Sequence, residues 1–285
     1  MTILVTAANG ELGKLVIDSL LARGAHPSDI VAGARTPAKA TSISEKGIRV
    51  VPLDYDDPAT ITAALEGIDR VLLISGSEVG KRTAQHQAVI AAATTAGVSL
   101  LVYTSVAKAD LSSLPLAPEH LATEQAIAAS GLPAVILRNN WYAENYLAEL
   151  QQVSETGVLL SATDNARVSL ASRVDFAEAA AAVLIGDEHS GQVYELAGEP
   201  HSYDEIADAF SAVLGKEVTH RALPADEFTA VLQSAGLDEG TAGFVTALNT
   251  GIAAGDLDVT DSTLVRLIGR PVTPLVDVIS RAVSA

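Results

Sequence analysis

The stretch TILVTAANGELGK, residues 2–14, restricts the fold of this 285-residue chain more than any other segment. An aliphatic run (Ile3–Val5) passes through a loop of small residues into an apolar-periodic helix over Leu12–Arg23. Strand, small-residue loop and helix in that order open a nucleotide-binding βαβ unit. The loop lets the backbone approach a pyrophosphate, and the helix start offers unpaired N–H groups and partial positive charge. The rhythm then recurs. Further apolar runs lie at Ile30–Ala32, Ile48–Val51, Val71–Ile74, Leu100–Tyr103 and Ala134–Leu137. Helical patterns at Ala59–Leu65, Ala84–Ala96 and Pro118–Ser130 fall among them, and Gly24, Gly67, Gly97 and Gly131 stand where helices end. Continuous apolar strands between helices require a sheet buried on both faces, hence a parallel one with right-handed crossovers. The predicted fold class is α/β, a Rossmann-type doubly wound parallel sheet with ligands at the carboxyl ends of its strands.

After Arg138 the rhythm changes. A mixed segment (139–173) precedes an alanine-rich helix (Val174–Leu184), the strand pattern GQVYELAG, and SYDEIADAFSAVLG with Ser202 and Glu205 at capping-box spacing. TDSTLVRLIGRP follows, closed by Gly269 and Pro271. No linker or repeat separates these parts. The expected division is an NAD(P)-binding domain, 1–146, and a smaller, interleaved C-terminal substrate lobe, 147–285. The strand near 192–197 is expected to return to the sheet.

Composition narrows the chemistry. The absence of cysteine excludes disulfides, a thiol nucleophile and thiolate metal sites, and the six histidines form no HxxxH pair, so no metal is expected. A net charge of −17 argues against nucleic acid or membrane as partners. No apolar run reaches membrane-spanning length, and the N-terminus reads as the mature start of a cytoplasmic protein. A homodimer is compatible with the sequence.

Against an acidic background, each cation near the loop is informative. The loop residues Ala7, Ala8, Asn9, Gly10, Glu11 and Leu12 are the first candidates for cofactor binding. Gly10 and Gly13 keep fingerprint positions, while Ala7 fills the slot of the first glycine, a substitution acceptable wherever φ is negative. The second strand leads into ARTPAKATSIS, with no acid between Ile30 and Ser44 and with Arg35 at its end. A guanidinium there suits a 2′-phosphate, which favours NADP(H) over NAD(H). Asp54 either meets an adenine edge or caps the next helix. Ser75, Gly76 and Ser77 either pass close to the dinucleotide or form a simple turn, and Thr104 joins the cofactor-side set.

The motifs VTAANGELG, ARTPAKA, LLISGSEVGKRTAQH, LVYTSVAKAD and LRNNWYAENY resemble, in order and spacing, the NmrA-like atypical short-chain dehydrogenase/reductases. More narrowly, they are similar to the type 2 NAD(P)H:quinone oxidoreductases, along nearly the whole chain. The resemblance implies a flavin-free, NADPH-using quinone reductase. It puts the loop from Ala7 to Leu12, Arg35, Ser75–Ser77 and the segment Asn139–Tyr142 at the cofactor, with Arg173 nearby. Ala7 and Asn140 each stand where the family pattern has glycine.

A typical short-chain dehydrogenase places Tyr-x-x-x-Lys on the helix after the fifth strand, to exchange the substrate proton and bind the ribose. Here Leu116 and His120 fill those slots and Glu124 follows. A quinone spreads the incoming negative charge over an aromatic dioxygen system, so hydrogen-bond donors or water suffice and positioning does most of the catalysis. The catalytic candidates are Asn139 or Asn140, Tyr142 as a donor, and Trp141 as a platform for a flat ring. The alternative for the Trp141–Tyr142 pair is a packing anchor. His120 is a ribose contact, a proton relay or a satisfied buried histidine, Tyr103 a packing residue, and Lys108 a surface charge. Two other functions fit the missing pair: a sensor that binds NAD(P) without turning it over, or a reductase of another electrophile such as an enone.

Overall fold

The computed structural model describes residues 1–284. In the first half, strands β1 (Ile3–Val5), β2 (Ile30–Ala34), β3 (Arg49–Pro52), β4 (Arg70–Leu73), β5 (Leu100–Val106) and β6 (Ala134–Asn139) alternate with helices. These are α1 (Glu11–Ala22), α2 (Thr41–Ser44), α3 (Pro58–Ala64), α4 (Arg82–Ala96) and α5 (Ala117–Ser130). A 3₁₀ segment (Ala143–Glu149) leads to α6 (Leu150–Thr156), β7 (Val158–Ser161), β8 (Val168–Leu170), α7 (Arg173–Ile185) and β9 (Val193–Leu196). The chain closes with β10 (Glu199–His201), α8 (Tyr203–Leu214), β11 (Thr219–Ala222), α9 (Ala225–Ser234), α10 (Glu239–Ala253), α11 (Thr263–Ile268) and α12 (Leu275–Ser284).

Seven strands form one sheet in the order β3-β2-β1-β4-β5-β6-β9, and every neighbouring pair is parallel. The strand order reverses between β1 and β4, which opens a crevice at their carboxyl ends. Successive side chains of β1 enter opposite cores. Ile3 and Val5 pack with Val16, Ile17, Leu20 and Phe176 on the face covered by α1 and α7. Leu4 packs with Val71, Leu73, Val89 and Tyr103 on the face of α3, α4 and α5. Gly97 and Gly131 cap α4 and α5 in the left-handed conformation, at φ 71° and 73°.

A third core holds the C-terminal half together around Tyr146, Val153, Ile206, Phe210 and Ile279, and it reaches Val106 at the end of β5 and Leu114 in the loop before α5. Ser202 and Glu205 form both arms of the capping box at α8. A second box, Ser172 with Asp175, starts α7. Asp175 is fully buried and accepts hydrogen bonds from Ser172 and from the backbone and hydroxyl of Thr273, while Arg270 pairs with it at 2.8 Å. Among the described residues, no helix is long and apolar enough to cross a membrane and no cluster could hold a metal ion.

Candidate functional site

A cleft of about 470 Å³ lies at the switch point. It is built from four strand ends: the loop Ala7–Gly13, Arg35 and Thr36 with Lys39, Leu53–Tyr55, and Ile74–Glu78 with Gln85. Its floor explains the glycines. A Cβ at position 13 would meet Ala7 O at 2.5 Å and Ala8 Cα at 2.7 Å, so only glycine lets α1 pack this closely on the loop. Gly10 caps α1 without a side-chain hydrogen bond, which leaves first-turn N–H groups available to an anion. Asn9 Oδ1 is buried in this loop without a protein partner.

The first slot corrects the sequence reading. Ala7 has φ 47°, in the left-handed region, where the fold accommodates alanine under strain. Its carbonyl nevertheless closes the turn by accepting from Gly10 N–H at 2.9 Å. Ala7→Gly is expected to stabilise the fold by up to ~1 kcal/mol, the relief of strain exceeding the entropy that glycine adds to the unfolded chain. Urea unfolding checks this, and a lower midpoint for the variant would refute the strain argument.

Arg35 is well exposed on the rim, 3.4 Å from Glu78, which also pairs with Lys81. Asp54 lines the cleft, but it does not cap α3; Asp57 does, by accepting from Ala59 N–H. Of the residues expected at the cofactor, Ala8, Thr104, Arg173 and the segment Asn139–Tyr142 do not line the cleft. Ala8 is fully buried and its N–H donates to Gly33 O, while the Thr104 hydroxyl accepts from Ser75 N–H at 2.9 Å. Ala8 acts through its backbone and Thr104 through its side-chain hydroxyl.

Residues 1–250 match the family model described as the NmrA-like family. The chain belongs to this family. Among its NmrA-like relatives and structural neighbours, quinone oxidoreductase 2 of Escherichia coli is 43% identical over 98% of this chain and 97% of its own. The crystal structure of that NADPH-dependent quinone oxidoreductase complexed with NADPH has a TM-score of 0.95, covering 98% and 99% of the two chains. The triphenylmethane reductase of a Citrobacter species, complexed with NADP(H), follows at TM-score 0.94 and 35% identity, covering 99% and 100%.

The catalytic candidates of this NmrA-like chain separate into two groups. Asn139 ends β6 and is buried; its Nδ2 donates to the Tyr142 hydroxyl at 3.2 Å, and its Oδ1 has no protein partner. Tyr142 packs edge-on against Phe176 and lies 5.0 Å beneath the Arg173 guanidinium. Desolvation holds its phenol above the usual range, so the proton stays on. Arg173 is fixed here by Glu144 and Asn145, outside the lining of the cleft.

Asn140, Trp141 and His120 have structural employment instead. Asn140 is buried, with Nδ2 donating to Leu257 O at 3.3 Å and Oδ1 accepting from Trp141 N–H at 2.7 Å. Both ends of its amide are engaged by the protein. Trp141 packs against the C-terminal core. His120 is 6% exposed and bonds through Nδ1 to the Tyr103 hydroxyl at 2.8 Å, inside the sheet–helix core. Lys108 is half-buried and tethered, its Nζ donating to Gly255 O and Asp258 O.

Burial, reinforced by the positive charge of Arg82, lowers His86 to about 4 and His120 to about 3, against 6.5 for a free imidazole. Both are neutral in the native state, whereas the unfolded chain takes up their protons as pH falls below about 6.5. Stability is therefore expected to fall between pH 7 and 5. The urea midpoint should decline over this range, and less steeply in His120→Gln.

Proposed function

We propose that this chain is an NADPH-dependent, flavin-free oxidoreductase of small quinones. The observation that carries the reading is the near full-length likeness to the E. coli quinone oxidoreductase and to its NADPH complex. The cleft supports the cofactor half independently. Arg35 and Lys39 supply cationic groups beside the end of β2, and β2 with the turn after it carries no acid of its own to prefer a free ribose hydroxyl. The uncapped start of α1 suits a pyrophosphate, and the unpartnered Asn9 Oδ1 suits a donor such as a ribose hydroxyl of the same dinucleotide.

When bound, NADPH supplies a hydride. The chain's own task is to hold a flat acceptor and steady the charge that develops on its oxygen. In this reading Tyr142, accepting from Asn139 and kept protonated by burial, donates its hydroxyl hydrogen to that oxygen. Residues 147–285 supply most of the substrate side. The Leu116 and His120 slots offer no tyrosine and lysine for moving a proton to a strongly basic alkoxide, which favours quinones over simple ketones.

The test is a panel of small benzoquinones with NADPH and NADH compared, without added flavin, followed at the nicotinamide absorbance band. NADPH oxidation faster than NADH oxidation is expected. Tight NADPH binding with no oxidation across the panel would make the protein a dinucleotide sensor.

A further inference from the structure

The loop Ser75–Ser77 lines the cleft, yet two of its backbone N–H groups point inward, away from any ligand. Ser75 N–H donates to the Thr104 hydroxyl and Gly76 N–H donates to His86 Nε2, each at 2.9 Å. His86 is fully buried on α4. Because Nε2 accepts from Gly76, the ring proton sits on Nδ1 and is donated to Thr123 Oγ1 at 2.9 Å. Thr123 in turn donates to Glu119 O on α5. The next turn is fastened to the same helix: Gly80 N–H and Arg82 Nε both donate to the Glu119 carboxylate at 2.8 Å.

We propose that His86 is a positioning residue of the dinucleotide site, holding the Ser75–Ser77 loop through Gly76 N–H in the shape that receives the cofactor. The inference rests on the reading of the cleft as an NADP(H) site. The ring acts as a rigid strut between α5 and the loop. One nitrogen meets the loop and the other meets the helix, so the two ends can be cut separately. A glutamine amide reaches the Nε2 position and can accept from Gly76, with the Thr123 bond lost. An asparagine amide reaches only the Nδ1 position, and keeps Thr123 while releasing Gly76. Both substitutions remove one buried hydrogen bond, so a purely structural role predicts equal effects on binding. A positioning role predicts a split.

The experiment measures equilibrium binding of NADPH and of NADH, by nicotinamide fluorescence, to the wild type, His86→Asn and His86→Gln, alongside their thermal unfolding. His86→Asn is expected to raise Kd for both cofactors in parallel, on the order of tenfold, through lost preorganisation of the loop. His86→Gln should stay within about threefold, with a comparable change in melting temperature. The parallel loss matters, because a group acting at the 2′-phosphate would affect NADPH alone. Thr104→Val frees the other anchored N–H without touching the ring and is expected to give the same parallel loss, even if His86→Asn fails to fold. Equal losses in the Asn and Gln variants, or unchanged affinity in Thr104→Val, would overturn the proposal. A wild type that binds neither nucleotide would overturn the assignment of the cleft, and this inference with it.

Discussion

Replacing Arg35 by alanine is expected to weaken NADPH binding by about 10- to 100-fold while NADH changes by less than about threefold. Arg35 stands at the end of β2, and its side chain is 70% exposed. A guanidinium pairs with a phosphate through charge-assisted hydrogen bonds. Its present partner, Glu78, is an exposed surface contact at 3.4 Å and holds it only weakly. Glu78 has a second cation in Lys81, so yielding Arg35 to a phosphate leaves the carboxylate paired. The NADH ribose has no phosphate to lose, and for it the same substitution removes only a distant charge. Binding titrations of both cofactors decide the matter. Equal losses would move the selectivity elsewhere, with Lys39 the next cation on the rim.

The second large effect concerns stability. Arg138→Ala is expected to cost about 3–5 kcal/mol of folding free energy, seen as a lowered midpoint in urea. Arg138 lies near the end of β6, 11% exposed, and binds Glu124 with two nitrogens at 2.7 and 3.0 Å. The same guanidinium reaches Asp110 at 2.7 Å and Glu195 at 3.1 Å. These contacts hold its proton more tightly than usual, while burial raises the Glu195 carboxyl. Removing the cation would leave Glu124 and Glu195 close together with no counter-charge, and that residual burial is the source of the penalty. Glu124 also accepts from the Ser105 hydroxyl at 2.6 Å, so a single node joins β5, β6, β9 and α5. A variant that unfolds at the wild-type midpoint would show that water relieves these carboxylates.

The sheet was legible because its strands are uninterrupted aliphatic runs, and the period of such a run depends only on neighbouring residues. Strands β7, β8, β10 and β11 were not, since each is short, lies outside the βα alternation and owes its pairing to a distant partner. Within the cleft, Arg35, Asp54 and Ser75–Ser77 follow from their places at strand ends. Glu78 and Gln85 were missed because they enter from the turn before α4 and from α4 itself, respectively. Ala7 shows a different limit, since its composition was plain but its positive φ belongs to the assembled turn. The bond of Asn140 left no mark in the sequence, because its partner, Leu257, lies 117 residues away. His86 sat inside a distinctive motif, SEVGKRTAQH, but a buried acceptor for one backbone N–H leaves no mark in sequence.

The return of β9 to the sheet has a consequence for how the molecule can be divided. A cut after residue 146 would strip β6 of its outer neighbour, take Glu195 from Arg138, and remove α7 from the face that it shares with α1. The N-terminal piece would then expose an open parallel edge and a bare apolar surface, both of which invite aggregation. The nucleotide half is thus no independent cassette. Transplanting the cleft into another scaffold would require carrying residues 173–196 along with it.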